Sequence, residues 1–162
     1  MKPYCYPGPK RLAAAAKLAG FPDEVLEVAV AVSGAETSGN TWVVGGPNKN
    51  GTYDFGAWQI NEVHKIKHPE WFEATTAGIN WANHADNARM AFAVYTEAGN
   101  SFRPWVAYTT GRYKDVTGPY ARKAGEQSWL DWARQGVADM KADLAKGRSL
   151  EVIASIYLEA SA

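Results

Sequence analysis

Cysteine is almost missing from this chain. Cys5 is the only one in 162 residues, so no internal disulfide can form and the fold must hold by packing. A lone cysteine fits synthesis in a reducing compartment. Cys5 lies in the proline-rich start Lys2–Pro9 and reads as a free surface thiol, because a nucleophilic thiol needs an activating base beside it. An excess of one charge is missing too: 17 Lys plus Arg balance 17 Asp plus Glu. A neutral chain lacks the basic surface that releases counterions from phosphates, which argues against a nucleic-acid partner. No apolar run reaches the roughly 18 residues of a membrane span, and the start shows no signal-peptide pattern. The expectation is a monomer made in a reducing compartment without membrane insertion. His64, His68 and His84 do not take the His-Glu-x-x-His spacing of a zinc site. No metal and no cofactor are expected.

What is present is an apolar fraction of 46% and an unusual load of aromatics, seven tryptophans and eight tyrosines. The length fits one domain with a real core over residues 1–162. Residues 1–20 read as an N-terminal extension with a short surface helix at Leu12–Leu18. Residues 137–162 read as a helical tail broken at Gly147. Some of the aromatics will fill the core; others can stack on the apolar faces of sugar rings.

From Pro22 to Gly39 the chain carries start and stop signals of a helix: proline and two acids at one end, glycine at the other. Val25–Val32 is apolar nearly all round apart from Glu27, so this helix should run through the core. Thr41–Val44 and Thr52–Asn61 are β-prone runs around a Gly/Asn/Pro loop, the pattern of a small antiparallel hairpin sheet. Helices are expected from an Asn80 cap to Gly99, over Pro104–Thr110, and from Pro119 past Trp132 towards Gly136. Gly118–Gly125 is the softest stretch. The fold class is α+β, mostly α, with a buried central helix, a minor sheet and a cleft between them.

Glu36 stands out within this frame. It sits in the last turn of the buried helix, sharing a face with Val28, Ala29, Val32 and Ser33. Desolvation and the negative end of the helix dipole both favour its protonated form. Such a carboxylic acid can protonate a leaving-group oxygen. A helix-end Glu making a surface hydrogen bond is the plain alternative. Asp54 falls in the second β-prone run, among Asn48, Asn50 and Thr52. A hairpin folded over the helix end would face the two carboxylates across a cleft, as glycoside hydrolysis requires. Its plain alternative is a turn-capping aspartate.

The segments Ala35-Glu-Thr-Ser-Gly-Asn40 and Gly51-Thr-Tyr-Asp-Phe-Gly-Ala-Trp-Gln-Ile-Asn61 resemble the catalytic region of the lysozyme superfamily. That superfamily includes chicken-type lysozymes, lytic transglycosylases and phage endolysin domains. The resemblance implies a lysozyme-like fold that cuts peptidoglycan glycan strands. Glu36 would be the general acid and Asp54 the second carboxylate. Gln59, Asn61 and Trp58 would line the cleft, and Asn48 and Asn50 would steady the Asp. Val106–Tyr113 resembles a transglycosylase stretch that would put Tyr108 in the cleft, although a core tyrosine explains it equally. Thr37 stands where relatives carry Ser. Disulfide-free relatives made inside cells are commonly phage lysins, which implies synthesis in the bacterial cytoplasm and action at the wall after release or from a virion. Three readings follow: a muramidase, retaining or inverting; a lytic transglycosylase in which Glu36 works alone; and a non-catalytic glycan-binding virion module. Chitin is a second possible substrate.

Overall fold

The computed structural model describes residues 6–73 and 80–155; Cys5 lies outside the described residues. Six α-helices and three two-residue strands follow in order: α1 (Gly8–Ala19), α2 (Leu26–Thr37), β1 (Val44–Gly45), β2 (Asp54–Phe55), β3 (Ile60–Asn61), α3 (His84–Glu97), α4 (Val106–Thr109), α5 (Trp129–Ala145) and α6 (Leu150–Ala154). The class is α+β and mostly helical, as the sequence implied.

α2 is the buried helix expected before Gly39. Leu26 and the run Ala29–Gly34 are buried, and its apolar character on every side leaves no face suited to water. Pro22 stays extended ahead of a 3-10 turn over Asp23–Val25, so α2 starts later than the proline suggested. It ends where Ser38 and Gly39 both take left-handed backbone. Gly34 in mid-helix has a packing cause. A Cβ there would meet the Trp129 ring at 2.5 Å and the Trp132 ring at 2.9 Å, so its absence lets α5 lie against α2.

α1 corrects the expectation of a surface helix. Leu12 and Ala13–Ala16 are fully buried, and α1 packs against α2, α3, α5 and α6. Alanine is the residue that permits such close helix approach. The short, alanine-rich segment flanked by Lys10, Arg11 and Lys17 is therefore a core element. The helix expected from Pro119 begins only at Trp129, under a reciprocal cap between Ser128 and Asp131. The stretch before it is turns pinned by Asp115, whose carboxylate accepts from the Gly118 and Tyr120 backbone N–H groups. Asn83, rather than Asn80, caps α3, accepting from the Ala85 and Asp86 N–H groups. The tail is α5 continuing to Ala145, then α6, whose Ala154 carbonyl meets buried His84 Nε2 at 2.6 Å.

The second β-prone run folds back on itself, so the hairpin becomes a three-stranded antiparallel sheet in the order β1-β2-β3. Gly45 pairs with Asp54, and Asp54 pairs with Asn61. The Phe55–Ile60 turn enters the core, with Gly56, Ala57 and Trp58 all buried. Gly56 has φ 80° and lies against Asn87 and the Trp81 carbonyl, where a side chain would clash. Asn87, itself fully buried, donates to the Phe55 carbonyl and accepts from the Trp58 N–H at 2.7 Å. That amide supplies the hydrogen bonds the buried turn needs. From the other side, Ser33 and Thr37 donate to the Ala57 carbonyl at 3.0 and 2.8 Å. The sheet is thereby clasped between α2 and α3.

Candidate active site

A cleft of about 780 Å³ opens between the end of α2, the small sheet and the segment entering α4. Glu36 and Asp54 both line it. The register explains where Asp54 points chemically. Asn61, its cross-strand partner, donates to Asp54 Oδ1 at 2.7 Å, and Asn48 donates to Oδ2 at 3.0 Å. Thr52 links the network, its hydroxyl donating to Asn50 Oδ1 at 2.6 Å and accepting from Asn61 at 2.9 Å. Asp54 is therefore a carboxylate held by amide donors on both oxygens.

Glu36 has a different setting. Burial against the apolar α2 environment pushes its carboxyl above the ordinary 4.5, and the nearby Asp54 charge pushes the same way. Two groups oppose the rise: the Ala107 N–H, 3.4 Å from Oε1, and the Arg112 guanidinium. Burial dominates, so the net direction is up. One acid is thus desolvated and biased towards its protonated form, and the other is embedded in polar donors. Two carboxyls whose surroundings differ in this way can divide acid and nucleophile or base roles.

The other sequence-nominated residues divide. Asn48, Asn50, Gln59 and Asn61 line the cleft. Gln59 also braces the sheet, donating to the Val43 and Gly56 carbonyls at 3.1 and 3.0 Å. Trp58 does not reach substrate space. It is 0% exposed, its indole N–H donates to the Ala29 carbonyl at 2.9 Å, and its own carbonyl accepts from Trp105 Nε1 at 2.7 Å. Its neighbours in sequence make a strand that turns inward, which puts the ring in the core. Tyr108 packs on the core between Phe102 and Tyr113, stacking on the latter at 5.4 Å, away from the cleft lining. The tryptophans are mainly core: Trp58, Trp71, Trp105 and Trp132 are buried, and Trp105 alone of the tryptophans lines the cleft.

Sequence reasoning missed Arg112, His64 and the Ala107 N–H. Ala107 contributes a backbone group that no sequence pattern announces. Arg112 stands four residues past Tyr108 in a stretch read only for its tyrosine. His64 lines the cleft from the 3-10 turn after β3, and burial lowers its pKa below 6.5. Among the described residues, no three His, Cys, Asp or Glu side chains converge as metal ligands.

Residues 13–107 match the Lysozyme like domain family. The matched segment covers more than half of the chain and contains both carboxylates. The chain belongs to this family. Membership places it in a class of peptidoglycan-acting glycosidases and transglycosylases. No solved structure matches the chain.

Proposed function

We propose that this lysozyme-like chain is a muramidase that hydrolyses the glycan backbone of bacterial peptidoglycan. Glu36 protonates the glycosidic oxygen as the bond breaks. Asp54, on the other side of the cleft, attacks the anomeric carbon, stabilises the oxocarbenium ion or directs a water to it. The asymmetry between the two acids carries this reading: burial favours the protonated form of Glu36 while Asn48 and Asn61 present amide N–H groups to Asp54. A transglycosylase working through Glu36 alone has no use for such a held second carboxylate. No cofactor enters the scheme.

The test is digestion of purified peptidoglycan, followed by mass spectrometry of the released muropeptides. Hydrolysis gives reducing-end products. Transglycosylation gives 1,6-anhydro products one water lighter, and their predominance would replace the hydrolase reading. Intact walls after prolonged incubation would leave the non-catalytic glycan-binding module.

A further inference from the structure

Arg112 is a cation of the cleft that the reaction above does not use. It opens the 3-10 turn Arg112–Lys114, which packs against α2, α4 and α5. It lines the same cleft as Glu36, close enough for its charge to act on that carboxyl. Its guanidinium carbon lies 4.2 Å over the Tyr120 ring, a stacking that fixes the plane of the fork. Among the described residues, its guanidinium forms no hydrogen bond and no ion pair, unlike Arg89, Arg134 and Arg148. It also lies beyond the segment shared with the family, which ends at residue 107.

A cation beside a general acid works against that acid, because it favours loss of the proton. Retaining one there makes chemical sense if the charge is met by a substrate anion. A stacked guanidinium with free donors suits a carboxylate, which it can grip through two parallel N–H bonds. Peptidoglycan and chitin share a β-1,4-linked aminosugar backbone, and they differ in the carboxylates that the muramyl residues carry.

We propose that Arg112 is a specificity-determining residue that binds a carboxylate borne by a muramyl residue next to the scissile bond. This rests on the glycosidase reading. The carboxylate has two sources: the lactyl group of a peptide-free muramyl sugar, or the stem peptide attached to it. When it docks, Arg112 is neutralised, and the group beside Glu36 no longer draws on its proton. A neutral chitin strand leaves the guanidinium unmatched.

The experiment measures binding by calorimetry in the Glu36→Gln background, so that no glycan is cut. Three ligands are compared: peptide-free muramyl glycan, the same glycan with its carboxylates reduced to alcohols, and glycan carrying stem peptides. Loss of one charge-assisted pair should cost about ten- to a hundredfold in affinity. The acid glycan should therefore bind that much more tightly than its reduced form, and adding Arg112→Gln should abolish the difference. If only peptide-bearing glycan shows an Arg112-dependent gain, the stem peptide is the source. Lys49, the exposed ammonium on the opposite loop, is the control, and Lys49→Gln should keep the discrimination. Equal affinity for all three ligands, or discrimination that survives Arg112→Gln, overturns the proposal while leaving the glycosidase reading intact. No binding of any glycan overturns both.

Discussion

The Ala107 N–H points at Glu36 Oε1 from 3.4 Å, across 71 residues of chain. It joins the end of α2 to the start of α4 and sets the carboxyl in a half-buried position. Glutamine keeps that acceptor oxygen and the side-chain shape while removing the acidic proton. Glu36→Gln should therefore lose about 10²–10⁴-fold in rate with its circular dichroism spectrum unchanged. Wall clearing at near wild-type rate would remove Glu36 from the mechanism.

The same substitution has a stability signature. Burial raises the folded-state pKa of Glu36 above 4.5, so folding favours the protonated form. Its stabilising contribution is full below the unfolded value and is lost as pH rises through the raised folded value. Once pH has risen through that raised value, the wild type carries a buried charge that the Gln variant does not. Glu36→Gln should melt at a higher temperature near pH 7, and the gap should close as pH falls towards 4.5. A constant gap across that range would show that the carboxyl ionises freely in the fold.

Neighbouring charges should move the alkaline limb of activity in opposite directions. Asp54 raises the Glu36 pKa and Arg112 lowers it. Asp54→Asn should therefore shift Glu36 titration to lower pH, and Arg112→Gln should shift it to higher pH. Carbon-13 titration of labelled glutamate carboxyls reads this directly, even in variants too slow to assay. Shifts of the same sign in both variants would contradict the electrostatic picture.

That Glu36 ends a buried helix and Asp54 enters the small sheet was legible in the sequence, because each lies beside a strong local signal, an apolar helix with its stop and a β-prone run rich in asparagine. The cleft between them was legible for the same reason. Residues whose position depends on distant partners were not. Trp58 looked available for a sugar, but Ala29, Asn87 and Trp105 draw its backbone and ring inward. α1 looked superficial because its flanking charges are local, whereas its burial comes from helices that follow much later. Asn80 and Asn83 are equally good caps by type, and only the path of the chain into α3 chooses between them.

The buried amide of Asn87 tests how the sheet is held. It donates to the Phe55 carbonyl and accepts from the Trp58 N–H, so Asn87→Ala would strand two buried backbone groups. Each should cost about 1–3 kcal/mol, read as a lowered denaturant midpoint. Activity should also fall, since β2 carries Asp54. An unchanged midpoint would mean that water or a backbone shift serves these groups equally well.

Asn61 separates holding Asp54 from holding the fold. Its side-chain oxygen accepts from the Val63 N–H at 2.9 Å and caps the turn after β3, while its amide nitrogen donates to Asp54 at 2.7 Å. Asn61→Asp keeps an oxygen for the cap, a role aspartate fills as well as asparagine. It replaces the donor with a second carboxylate, so Asp54 loses a hydrogen bond and faces a like charge. Displacement of a reacting group by about 1 Å can cost 10²-fold in rate. The variant should therefore keep its melting temperature within a few degrees and lose on the order of 10²-fold in turnover. Asn61→Ala, which removes cap and donor together, should lose both stability and activity. Full turnover in Asn61→Asp would show that Asp54 need not be oriented by its cross-strand partner. Asn48, which donates to the other carboxylate oxygen at 3.0 Å, would then suffice to hold it.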